Sequence, residues 1–154
     1  MKVSGAYSVP VSQDRAYALL QDPAILAKCM PGCEGLHRVA EDEYAMRMKM
    51  VLASISGQFV GKVKISEANP PASFRLLVEG TGKIGFMKGD GVLRLHPAVA
   101  GASVQFEGEV QVGGTMASVG QRLLDTTARM LIKRFFDKLA AEAAQSEVQR
   151  LAAD

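Results

Sequence analysis

The apolar side chains of this chain change period once, and that change limits the fold more than any other feature. From residue 43 to residue 112 they recur mostly at every second position, the period of a half-buried strand. After Gly113-Gly114-Thr115 they recur about every 3.6 residues, the period of an amphipathic helix. The last alternating stretch, 102–112, is the cleanest. Val104, Phe106, Gly108, Val110 and Val112 share one face, and Ser103, Gln105, Glu107, Glu109 and Gln111 share the other. The helical stripe then passes through Met116, Val119, Leu123, Thr127, Met130, Leu131, Phe135 and Leu139. At ~1.5 Å per residue such a helix reaches about 40 Å, enough to cross a sheet.

Upstream, residues 2–9 alternate with Val3, Gly5, Tyr7 and Val9 on one face. Ser12 is placed to cap a short helix ending near Leu20, and Asp22-Pro23 opens a second that Pro31-Gly32 stops. Strands are expected at about 33–40, 43–53, 55–66, 73–80, 83–96 and 102–112. Gly89 and Gly91 read as a bulge where the inward face of the 83–96 strand changes over. The expected architecture is α+β. A curved antiparallel sheet of about seven strands wraps round a long C-terminal helix, with two short helices after the first strand. One domain is expected over 1–145. Residues 146–154 should fray, because Gln145-Ser146-Glu147 interrupts the apolar pattern.

Several function classes fall away on composition. The chain has 154 residues with a net charge of +2, which points to no nucleic-acid partner. No apolar run approaches the roughly 20 residues that span a bilayer. The first residues lack the apolar stretch of a signal peptide, and two cysteines cannot make a disulfide framework, so a cytoplasmic setting is expected.

Catalytic and metal signatures are missing too. Cys29, Cys33, His37 and His96 show neither C-x2-C nor H-x3-H spacing, so no metal site is expected. There is no G-x-S-x-G elbow, and the glycines around Lys83 lack the phosphate-loop spacing. Glu107 and Glu109 face away from Phe106 and read as solvated surface. Cys29 and Cys33 read as packing residues in the seam between helix and strand.

The inward faces are less ordinary. Met46, Met48 and Met50 alternate on one strand, and Gly57 and Gly61 remove volume from the same face of the next. One reading is a solid core in which methionine fills gaps and glycine shapes the sheet. The other is a cavity, since methionine is flexible and suits exchangeable apolar partners. We adopt the second. Met46, Met48, Met50, Phe59, Phe74, Leu76, Phe86 and Phe106 would line the cavity from the sheet, and Leu123, Thr127, Leu131 and Phe135 from the helix.

Several motifs carry a resemblance. Asp22-Pro23, followed by Pro31-Gly32-Cys33-Glu34, resembles the D-P-x-x-L-x-x-x-x-P-G-C signature of the CoxG family, the G-subunit proteins of carbon monoxide dehydrogenase. Ile55-Ser56-Gly57 with Val60-Gly61, and the run Met116 to Leu124 with Gly120, Gln121 and Arg122, resemble further motifs of that family, as does Phe135-Phe136. The likeness covers essentially residues 1–145. It implies the helix-grip fold of the START/Bet v 1-like (SRPBCC) superfamily and a non-catalytic accessory protein of a CO dehydrogenase or related molybdenum hydroxylase. It also implies no covalent cofactor, a lipophilic ligand such as a quinone or lipid, and a link to membrane association at the inner face.

Transient docking on a membrane would use lysines such as Lys83, Lys88, Lys133 and Lys138. Two alternatives stand beside this reading. One is a cyclase- or dehydratase-type enzyme drawing protons from Tyr7, Tyr17, Tyr44 or His96. The other is a ligand-free interaction domain with a solid core.

Overall fold

In the computed structural model, which describes residues 1–153, the chain forms one seven-stranded sheet, two short helices and one long helix. β1 (Lys2–Val9) leads into α1 (Gln13–Leu20) and α2 (Pro23–Cys29). β2 (Cys33–Ala40), β3 (Glu43–Leu52), β4 (Ile55–Asn69), β5 (Ser73–Gly82), β6 (Gly85–Ala98) and β7 (Gly101–Gly113) follow as a meander. A short 3-10 turn (Gly114–Val119) joins β7 to α3 (Gln121–Ala153). The sheet order is β1-β7-β6-β5-β4-β3-β2, every pair antiparallel. Only β1 crosses over, to lie beside the last strand. The short helices and α3 all pack on one face of the sheet, and the core lies between.

Local chemistry accounts for the helix starts. The Ser12 hydroxyl accepts from the backbone N–H of Arg15, and the Asp22 carboxylate accepts from that of Ala24, with Pro23 at the first helical position. Gln13 fastens α1 across the end of the sheet by donating to the carbonyls of Pro71 and Leu95. Tyr17 donates its hydroxyl to the Ser73 carbonyl at 3.0 Å and meets Phe74 edge-on, 5.6 Å between ring centres.

The turn from α2 into β2 needs glycine. Gly32 has φ +80°, and a side chain there would begin 2.1 Å from the Lys49 carbonyl oxygen. The Lys49 N–H in turn donates to the Gly32 carbonyl at 2.8 Å, which locks the turn onto β3.

Three expectations are corrected. β6 carries no bulge at Gly89 and Gly91: its pairing with β5 and β7 is unbroken through both glycines. The alternation is therefore continuous, placing Met87, Leu93 and Leu95 inside and Phe86 outside beside Lys88 and Asp90, 46% exposed. Secondly, α3 begins at Gln121 rather than near Met116. Gly120 has φ +95°, a conformation that ends the 3-10 turn and lets the chain change direction. The buried face of α3 runs through Phe136, Leu139 and Ala143, while Met130 is 41% exposed.

Thirdly, α3 continues as helix to Ala153, past the point where fraying was expected. The Arg15 guanidinium donates to the Ser146 hydroxyl at 2.7 Å, and Lys28 pairs with Glu142 at 3.9 Å, so this end is tied to α1 and α2.

Cys29 closes α2 as a buried free thiol, and Cys33, also free, is half-buried with its Sγ donating to the Gly35 carbonyl at 3.5 Å. Burial, and then the negative charge of Glu142, push the Cys29 thiol up to about 11. Below its ordinary value the thiol is protonated in both folded and unfolded chains and contributes no pH dependence. Above that, the unfolded chain ionises first and stability falls as pH rises towards 11. The urea midpoint of the native protein should therefore drop between about pH 8 and pH 10.5 by more than that of Cys29→Ala. Equal drops would mean that the thiol is not held protonated by the fold.

Candidate ligand-binding cavity

The two halves of α3 meet the sheet differently. Phe136, Leu139 and Ala143 are fully buried. Between Gln121 and Phe135 no residue is; Leu124, Leu131, Ile132 and Phe135 remain half-exposed although they face the sheet. These side chains pack against the rim of the core without being enclosed by it, and the face they share with the sheet borders an open space.

That space is a cavity of about 220 Å3. Its floor is the inner face of β3 to β7: Met48, Met50, Val63, Phe74, Leu76, Val78, Met87, Leu93 and Phe106. Leu20, Leu26, Met30 and Pro31 close it on the side of the short helices, and Leu131, Ile132, Phe135 and Phe136 roof it. A second apolar chamber of about 160 Å3 adjoins it, with Met1, Leu52, Val110, Val112 and Met116 facing Leu124, Thr127 and Ala128. Met50, Met87, Leu131 and Ile132 belong to both chambers.

Of the twelve residues named from the sequence, Met48, Met50, Phe74, Leu76, Phe106, Leu131 and Phe135 come together in the wall of the larger chamber. Thr127 lies in the smaller one. The remaining four lie elsewhere. Met46 is packed into the floor, its methyl 3.5 Å from where a Gly80 side chain would begin. Its row across the sheet reads Met46, Gly61, Gly80, Met87. The space at Gly80 is taken by Phe59, Met46 and Met87 and that at Gly61 by the Glu79 backbone, so neither glycine leaves open volume. Phe59 is fully buried and outside both walls. Leu123 is half-buried but outside both walls, and Phe86 is on the opposite face of the sheet.

The wall residues that sequence reasoning missed include Val78, which shares the parity of Phe74 and Leu76 on β5, and Met87 and Leu93, which strand parity supplies once β6 is read without a bulge. Ile132 and Phe136 stand one position after Leu131 and Phe135, on the neighbouring edge of the same helix face. Leu20, Leu26 and Met30 come from the short helices, where no local signal says which face meets a cavity.

The walls expose almost no polar surface, and no polar or charged side chain is buried among the described residues. The four proton donors considered do not converge on the cavity. Tyr17 is tied to Ser73, and burial pushes its hydroxyl up. Tyr7 stacks on Phe136, 4.2 Å between ring centres and 7° between planes. Tyr44 is buried outside the walls, and His96 is exposed at the far end of β6. No group of His, Cys, Asp or Glu side chains among the described residues is arranged to hold a metal ion.

The motif residues fall at the turn after α2 and at the start of α3. Pro31 is part of the cavity wall, and Gly32 and Cys33 make the turn beneath it. Gly120 is the joint before α3, its carbonyl accepting from Leu124 N–H at 3.1 Å. Gln121 and Arg122 are exposed in the first turn, Gln121 donating to Asp125 at 3.1 Å and the Arg122 carbonyl accepting from Thr126.

The family model for the carbon monoxide dehydrogenase G-subunit (CoxG) matches residues 5–144. The chain belongs to the CoxG family. Its fold is the START-like helix grip, a curved antiparallel sheet round a long C-terminal helix. A conserved protein from Geobacillus kaustophilus is 31% identical, with TM-score 0.90, over 95% of this chain and 97% of that one. More distant structures share the fold. A START superfamily protein from Mycobacterium smegmatis is 15% identical at TM-score 0.69, covering 94% of this CoxG-family chain and 97% of that one. The ZhuI aromatase/cyclase from Streptomyces sp. R1128 is 13% identical at TM-score 0.65, with 94% of each chain covered. No curated protein matches the chain.

Proposed function

We propose that this CoxG-family protein is a non-catalytic carrier that holds a lipophilic ligand, a quinone or lipid-like molecule, between the sheet and α3. It would serve a CO dehydrogenase or related molybdenum hydroxylase and that enzyme's association with the membrane. One observation carries the reading: a cavity of about 220 Å3 with apolar walls, roofed in part by a stretch of helix that buries none of its own residues.

A solid core would have filled this volume with Leu or Ile, because voids lose dispersion contacts and cost stability. An enzyme pocket would present convergent polar groups with displaced titration, and these walls present none. Apolar ligand surface taken up here gains about 25 cal/mol per Å2.

Direct membrane contact belongs to the same proposal. No helix among the described residues is long and apolar enough to cross a bilayer, so contact would be made by surface residues. The lysines expected for docking are spread over the molecule, with Lys83 exposed in the turn between β5 and β6. Lys88 is on the outer face of β6, whereas Lys133 and Lys138 are on α3, held by Asp137 at 2.7 Å and Glu142 at 3.5 Å.

Native mass spectrometry of freshly purified protein, followed by organic extraction, tests the carrier reading. A stoichiometric quinone or lipid is the expected result. Protein that arrives empty and takes up no added quinone or lipid would overturn it.

A further inference from the structure

The two chambers differ in a way that bears on which part of a ligand this protein reads. Both are walled by apolar side chains, Thr127 of the smaller chamber excepted, and neither offers a hydrogen-bond donor or acceptor with appreciable surface. A polar head drawn inside would give up its water and find no partner, an unfavourable exchange. A hydrocarbon chain meets no such penalty. The chambers also adjoin, sharing part of their lining. Met50 from β3 and Met87 from β6 face Leu131 and Ile132 from α3 at the boundary, and all four side chains line both spaces. Methionine side chains turn easily, so two of the four walls of this waist are adjustable.

We infer that the protein selects its ligand by the length of its hydrocarbon chain, which threads the waist to fill both chambers, while the polar end stays outside them. The inference rests on the carrier reading above and narrows it: head chemistry is left largely unread, and chain length is measured against two volumes of about 220 and 160 Å3. Each methylene buried multiplies affinity roughly fourfold. The gain continues until the second chamber is full and then stops.

The test uses two probe series on the purified, delipidated full chain. One is isoprenyl alcohols of one to four units; the other is benzoquinones carrying the same chains. Affinity should rise at least about tenfold per added unit until a plateau, and alcohol and quinone of equal chain length should agree within about threefold. Thr127→Trp, and independently Ala128→Phe, place bulk in the smaller chamber. In each variant the plateau should come at a shorter chain, and the ratio of longest-chain to shortest-chain affinity should fall by about tenfold or more. A variant that is merely loosened would lower every affinity alike and keep the ratio.

Binding that ignores chain length, a quinone preferred about tenfold or more over the alcohol at every length, or an unchanged ratio in both variants would overturn the inference alone. Failure of both series to bind at any length would overturn the carrier reading with it.

Discussion

Gly32→Ala is expected to remove at least about 3 kcal/mol of folding stability and to lower the melting temperature by roughly 10 °C. Two costs combine. A left-handed backbone is unfavourable for any residue with a side chain, by roughly 1–2 kcal/mol. The new methyl would also begin 2.1 Å from the Lys49 carbonyl oxygen, backbone that cannot turn away as a side-chain end could.

Relief requires the turn to lift off β3. That breaks the 2.8 Å hydrogen bond from Lys49 and disturbs the pairing of Cys33 with Met48. Pro31 and Met48 both stand in the cavity wall, so the same lift opens the site. Thermal unfolding followed by circular dichroism checks this. A melting temperature within about 2 °C of the native value would show that the turn is not the constraint described.

Met48→Trp should act on ligand uptake and spare the fold. Met48 faces the larger chamber from the middle of β3, between Met46 and Met50, and is nearly fully buried. An indole here has empty volume to enter, about 220 Å3, so overpacking is relieved by space that already exists. The ligand loses that space. Each 100 Å2 or so of apolar ligand surface left in water forfeits about 2.5 kcal/mol, near sixtyfold in affinity. Titration of the delipidated protein with a prenylated benzoquinone should show at least roughly a fiftyfold weakening while the melting temperature holds or rises. Undiminished affinity would remove Met48 from the binding wall, and the larger chamber from the function with it.

The inward faces of β3 and β7 are legible in the sequence through strict alternation, because a half-buried antiparallel strand leaves each residue only two directions. Met48, Met50 and Phe106 are in the wall for that reason. Sequence reasoning fails where chemistry and geometry disagree. Phe86 is aromatic, which argues for burial, but strand parity places it outside; a bulge at Gly89 and Gly91 would favour the side chain over the period. Met46 and Phe59 have the parity of wall residues and are buried, yet they pack around Gly80 and do not reach the wall. Which inward residues border the space beneath α3 depends on how all seven strands are arranged, and no local stretch encodes it. The start of α3 is hidden because Met116 and Val119 continue the apolar period through a 3-10 turn, and only the φ of Gly120 separates the two.

The unequal support of α3 ties occupancy to order. Its C-terminal half is anchored by Phe136, Leu139 and Ala143, by Arg15 to Ser146 and by Lys28 to Glu142. Its N-terminal half, between that anchor and the Gly120 joint, buries no residue fully and packs on the core through half-buried Leu124, Leu131 and Ile132. A guest beneath this segment would add to that packing, so an occupied site would hold the helix more firmly than an empty one. By linkage, a partner that held this segment against the sheet would tighten ligand binding, and one that drew it away would loosen it, neither touching the ligand.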